Sequence, residues 1–281
     1  MISNIVILRF FTIFKGNTSF YNKNELPKVK PEGGKFKTKI ITVKEKLTKE
    51  EIARHLDGEI GIGISPITND NKVFYAVLDI DCYDKRLDKM LGFIREYNLP
   101  LIPFHSKSGG LHVYIFFTKA VSARSARELL ENIIYYFSLE DIYGKGKVEI
   151  FPKQTDLNEG SCGSCLCLPY FNAEKTYNSM LDCDKNTYSL EEALAYIQQH
   201  MTTLDAMKKL LEDLPFSDSP PCLQKILLAH LVGSEDSGRN NFLFSFAVYA
   251  KKKYGNGFES YVQEVNNSFE CPLEDAVINQ I

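Results

Sequence analysis

The chain lacks a strong charge of either sign. Its 33 Lys and Arg stand against 36 Asp and Glu, a formal net charge of −3. No global basic field marks it as a nucleic-acid binder, so any such surface must be a local patch. It also lacks a secreted-type cysteine framework: its seven cysteines fall at irregular spacings, and a chain of this length needs no disulfides. It lacks a run long enough to span a bilayer. Ile5-Val6-Ile7-Leu8 is broken by Arg9 and precedes no small-residue cleavage site, so it reads as a first strand. Internal repeats and low-complexity tracts are missing too. These absences leave an ordinary globular protein of a reducing, intracellular setting, with no membrane association.

What is present centres on Val73–Thr118. An apolar run, Val73-Phe74-Tyr75-Ala76-Val77-Leu78, ends in Asp79-Ile80-Asp81. It reads as a buried strand that delivers two carboxylates at its end. Strand side chains alternate faces, so Asp79 and Asp81 point the same way. Like charges side by side repel unless a cation lies between them, and oxygen donors of this kind suit Mg²⁺ or Mn²⁺. Ser106-Lys107-Ser108-Gly109-Gly110-Leu111-His112 then enters a second apolar run. Such a loop offers backbone N–H groups, hydroxyls and an ammonium to a phosphate. Carboxylates for metal beside a loop for phosphate point to nucleotidyl transfer.

The surrounding pattern is α/β (α+β). Strand Val73–Ile80, helix Lys85–Tyr97, strand Leu101–His105, strand Leu111–Thr118, a helix from Ser122 to Phe137 and strand Lys147–Phe151 give the order β-α-β-β-α-β. In this split βαβ arrangement the first strand lies between the third and fourth. Asp79, Asp81, His112 and Glu149 then converge on one open sheet face. Before this module, residues 1–70 carry a lysine-rich segment that includes Lys35 and Lys37. It fits a nucleic-acid backbone and a solvated hairpin equally well. Thr48-Lys49-Glu50-Glu51 and Ser189-Leu190-Glu191-Glu192 have capping-box spacing and open helices.

Cys165–Phe171 reads as a further strand, and Ser217–Pro221 as a linker to helices at Cys222–Leu231, Asn240–Tyr254 and beyond. The last residues, Pro272–Ile281, read as a helix cut short. Cys162, Cys165, Cys167 and Cys183 have some of the spacing of a zinc site. Cys165 and Cys167 alternate with leucines as core residues would, and zinc is not expected. Arg239, at a helix start, is either a phosphate contact or a salt-bridge partner.

Leu78-Asp79-Ile80-Asp81, the loop Ser106 to His112 and Val148-Glu149 together resemble the archaeo-eukaryotic primase superfamily. His55-Leu56-Asp57-Gly58, Gly61-Ile62-Gly63-Ile64, Glu149-Ile150-Phe151-Pro152-Lys153-Gln154, Leu168-Pro169-Tyr170-Phe171 and Gly238–Phe244 are similar to the primase domains of TOTE conflict systems and phages. The resemblance covers most of residues 45–275 and rests on the order and spacing of these motifs. It implies a DNA primase and polymerase of a phage or mobile element, working on a single-stranded DNA template with NTP or dNTP. Asp79, Asp81 and Glu149 would hold two Mg²⁺ or Mn²⁺ ions, which acidify the attacking 3′-hydroxyl and neutralise the leaving pyrophosphate. Ser106, Lys107, Ser108, Gly110, His112 and Lys153 would hold the triphosphate. Glu149 stands where many relatives carry Asp.

The implied organisation is a catalytic core over 1–204, made of an N-terminal αβ unit (1–70) and an RRM-like catalytic module (71–204). A helical domain follows over 205–281. A helicase in the same or a neighbouring chain is the implied partner, and the cytoplasm of a bacterial or phage-infected cell the implied place. Two alternatives stay open: a gap-filling polymerase of end-joining repair, and a silent origin-binding module. Three acids, costly to bury without a cation, argue against the silent one.

Overall fold

A computed structural model describes residues 2–27, 38–84, 86–158, 160–214, 223, 239–269, 271–278 and 280. The chain divides into two compact units, Met1–Ile133 with Glu140–Leu211, and Ile134–Leu139 with Glu212–Ile281. The first is mixed α/β and holds two four-stranded antiparallel sheets. No helix among the described residues is long and apolar enough to cross a membrane.

The chain opens on a helix, α1 (Asn4–Ile13), and not on the expected strand. The Ser3 hydroxyl accepts from the Val6 N–H and caps it. Val6, Ile7, Phe10 and Ile13 are buried while Ile5 and Leu8 are exposed. That is a helical period, which a four-residue apolar run read alone disguises as a strand. Phe14, just past the helix, is the plug of the unit. Its ring lies 5.5–6.2 Å from those of Tyr75, Phe104, Tyr114 and Phe116, edge-on to each. Aromatic pairs in this arrangement contribute ~0.5–1.5 kcal/mol each beyond area burial.

The first sheet comprises β1 (Tyr21–Asn24), β2 (Ile40–Val43), β3 (Gly61–Ile64) and the short β8 (Leu166–Cys167), in the order β2-β1-β3-β8. Its register puts Tyr21, Ile62, Ile64 and Leu166 on one face, inside the core shared with α1 and α2 (Lys49–Leu56). The opposite face carries Asn22, Asn24, Gly61, Gly63 and Cys167.

The second sheet joins β4 (Lys72–Ile80), β5 (Ile102–His105), β6 (Leu111–Ser122) and β7 (Val148–Phe151), in the order β5-β6-β4-β7. This is the split βαβ order, with β4 between β6 and β7. Its crossovers carry α3 (Leu87–Glu96) and α4 (Ala123–Tyr136), and right-handed connection places both on one side. Ser122 accepts from the Ser125 N–H at the start of α4. The other side is not the open face expected. Tyr75, Val77, Phe104, Tyr114, Phe116 and Phe151 are buried there in the shared core, because α1 and Phe14 cover them. Only the row at the end of β4 is left polar. A full capping box at Ser189 starts α5 (Leu190–Gln199), which packs on the same core.

In the second unit, helices Arg239–Tyr254 and Phe258–Asn267 bury Phe242, Phe246, Val262 and Val265 together. The last described helix, Asp275–Ile278, is a single turn. The expected linker and the helix Cys222–Leu231 lie outside the described residues, Leu223 apart.

His55 ties α2 to the first sheet. Its Nδ1 accepts from the Ile62 N–H at 3.1 Å, which leaves Nε2 to donate to the Pro169 carbonyl at 2.9 Å. This fixes the neutral tautomer, and burial holds the imidazole down to about 4 from its ordinary 6.5. A depressed histidine weakens the fold as pH drops below the unfolded value, because the unfolded chain then binds the extra proton. Unfolding free energy should therefore fall by about 2 kcal/mol between pH 7 and pH 5 from this group alone. Denaturant titrations of the parent and of His55→Asn at both pH values check it, and the variant should lose most of that slope.

Candidate active site

The end of β4 assembles the site. Asp79 pairs with His112 of β6 on one side and with Glu149 of β7 on the other. Residues directly opposite in an antiparallel sheet share a face, with Cβ atoms ~5 Å apart. His112, Asp79 and Glu149 thus form one row across three strands. Asp81 extends the ladder by donating its N–H to the Lys147 carbonyl at 2.8 Å, which returns its side chain to the face of Asp79.

Each acid has a local partner. His112 Nε2 lies 3.4 Å from Asp79 Oδ1. Lys153 Nζ lies 2.8 Å from Glu149 Oε2 and 5.2 Å over the Phe151 ring. The Tyr83 hydroxyl donates to Asp81 Oδ1 at 2.8 Å. Lost hydration at that phenol, and then the Asp81 carboxylate, push Tyr83 up to about 12, so it stays a donor. Tyr83 had no signal in the sequence beyond its place two residues after Asp81. The acids are also less buried than expected: the Asp79 side chain is 21% exposed and that of Glu149 49%. The desolvation argument against a silent module therefore does not hold.

The phosphate-type loop follows β5. The Ser106 N–H donates to the Gly110 carbonyl and the Gly109 N–H to the Ser106 carbonyl, which spends two of the amides expected for a ligand. Gly109 takes φ +99°, open to glycine. At Gly110 a Cβ would meet the Ile80 carbonyl oxygen at 2.3 Å, so the loop can lie against the end of β4 only without a side chain. Ser106 and Ser108 are buried, and Lys107 donates to the Thr38 hydroxyl at 3.3 Å.

Other expected contacts do not join this group. Lys35 and Lys37 lie outside the described residues. Arg239 belongs to the helical unit, where its guanidinium donates to the Cys271 carbonyl. Cys162, Cys165, Cys167 and Cys183 carry free thiols, and burial pushes Cys165 up to about 12, with Cys162 and Cys167 adding to it. Among the described residues, no group of three or more His, Cys, Asp and Glu side chains is arranged to hold a metal. The donor chemistry at the end of β4 nonetheless fits Mg²⁺ or Mn²⁺: carboxylates from adjacent strands, in register, with hard oxygens only.

Gly110→Ala should destabilise by about 1–3 kcal/mol through the clash with β4. Gly92→Ala, inside α3 with nothing near its Cβ, should stabilise by about 0.5–1 kcal/mol. Thermal melts of the two variants against the parent check both signs.

A model of the archaeo-eukaryotic primase domain of TOTE conflict systems matches residues 7–210. No curated protein matches the chain. Among solved structures, the crystal structure of primase RepB′ is similar at 10% identity over 98% of this chain and 91% of that one, with a TM-score of 0.24. The family match spans both sheets and every residue of the acidic row, and the chain belongs to the archaeo-eukaryotic primase family of TOTE conflict systems.

Proposed function

We propose that this protein is a DNA primase and polymerase. It joins the α-phosphate of an NTP or dNTP to a 3′-hydroxyl on a single-stranded DNA template and releases pyrophosphate. The observation that carries the reading is the cross-strand row His112–Asp79–Glu149, with the Ser106–Gly110 loop abutting the same strand end.

In this reading Asp79, Asp81 and Glu149 would hold divalent ions, whose charge would acidify the attacking hydroxyl and neutralise the triphosphate. The protein's own contribution is position. Ser106, Ser108 and Lys107 grip the phosphates from one side of β4. Lys153 exchanges its Glu149 contact for phosphate from the other. His112 orients Asp79 through Nε2. The first unit supplies the catalytic core, and the second steadies the template during initiation, in the setting of a phage or mobile element.

Replacing Asp79 and Asp81 with Ala should abolish incorporation, a loss of at least ~10³-fold given several kcal/mol of transition-state stabilisation. Single-strand binding should survive. Lys107→Ala should raise the nucleotide concentration needed while leaving turnover. Extension and unprimed synthesis assays with Mg²⁺ or Mn²⁺, beside a strand-binding assay, test this. Products without a primer support the primase, products only with one support the gap-filling polymerase, and none with any metal supports the silent module.

A further inference from the structure

Beside the acidic row lies a polar cluster that the reading above does not use. Asn24, at the end of β1, is 2% exposed. Its Nδ2 donates to the Cys167 thiol on β8 at 3.2 Å, while its Oδ1 has no hydrogen-bond partner among the described residues. Tyr114 follows His112 by two residues on the same face of β6, their ring centroids 6.4 Å apart. It is 1% exposed, and its hydroxyl is likewise buried and unpartnered. The Tyr177 hydroxyl is a third such atom.

The cluster borders the site on two sides: Asn24 pairs with Ile40, two residues from Thr38, whose hydroxyl accepts from Lys107, and Tyr114 follows His112, which contacts Asp79. Burial raises the Cys167 thiol, with Lys107 opposing and Asp79 reinforcing the shift. Burial also raises the phenols of Tyr114 and Tyr177, and Cys167 adds to both.

Packing does not account for these atoms. Tyr114 sits among Phe14, Phe104 and Phe116, where a phenylalanine would fill the same space. A buried polar atom without a partner costs ~1–3 kcal/mol. A ligand that supplies the missing partners accounts for the unpaired Asn24 and Tyr114 atoms. An amide oxygen accepts and a phenol donates or accepts, which is what adjacent hydroxyl groups require. Tyr114 is one step from Asp79 through His112, and Asn24 is close, along the β1–β2 pairing, to the Thr38 partner of Lys107; a nucleotide held by the groups assigned to metal and triphosphate would carry its sugar between them.

We propose that Asn24 and Tyr114 form the sugar subsite, bond the ribose 2′-hydroxyl, and make the protein select ribonucleoside over deoxyribonucleoside triphosphates. The proposal rests on the nucleotidyl-transfer reading. A site built to bond a substrate hydroxyl discriminates strongly against the analogue that lacks it, since its own polar groups are then left unpaired.

Isothermal titration with ATP and with dATP, in Mg²⁺ and without template, tests it independently of turnover. The parent should bind ATP at least ~10-fold more tightly than dATP. Tyr114→Phe and Asn24→Ala should each shrink that ratio several-fold, with ATP the larger change. Tyr114→Phe should not lower the melting temperature, because it removes an unpaired buried hydroxyl. Equal binding of ATP and dATP by the parent, or an unchanged ratio in both variants, overturns the sugar subsite and leaves the polymerase reading standing. A parent that binds neither nucleotide overturns both.

Discussion

The site depends on the register of one central strand. β4 is paired on both sides, and Asp79 is the residue that faces His112 across one edge and Glu149 across the other. Side chains alternate with period two, so a slip of one residue would turn Asp79 into the helix side and Leu78 or Ile80 into the site. What holds the register is apolar. Leu78 and Ile80 are buried on one face, Tyr75 and Val77 on the other, and Phe14 closes on the second face through four rings. The geometry of the row is thus fixed by apolar packing around it.

The second constraint is space. The loop after β5 reaches the end of β4 only because Gly110 presents no Cβ to the Ile80 carbonyl. On the other sheet, Gly61 and Gly63 share a face with Asn24 and Cys167. At Gly61 a Cβ would meet the Leu26 side chain at 2.5 Å and the Asn24 carbonyl at 3.0 Å, so here too close approach needs a residue without a side chain. The acids, meanwhile, each meet a neighbour: His112 beside Asp79, Lys153 beside Glu149 and the Tyr83 hydroxyl on Asp81.

Much of this was legible in the sequence, and the gaps have physical causes. The split βαβ order, the strand that ends in Asp79 and the caps at Ser122 and Ser189 are local signals, carried by period and by hydroxyl donors at fixed offsets. The face covered by α1 was not legible. Tyr75 on β4 and Tyr114 and Phe116 on β6 share one side of the sheet, and nothing local says that Phe14, sixty residues or more away, closes over them. The same holds for Asn24 and Cys167, brought together by sheet pairing across β1, β3 and β8. α1 itself was misread because four apolar residues in a row fit either period until Phe10 and Ile13 are counted.

Manganese binding tests the central claim, that β4 assembles a metal and triphosphate site, most directly. Electron paramagnetic resonance of free Mn²⁺, titrated with protein and ATP, reports bound ion without any need for turnover. The account predicts that the parent removes Mn²⁺ from solution in an ATP-dependent way, and that Asp79→Asn and Glu149→Gln each weaken that binding at least ~10-fold. Equal Mn²⁺ binding by parent and both variants would contradict it.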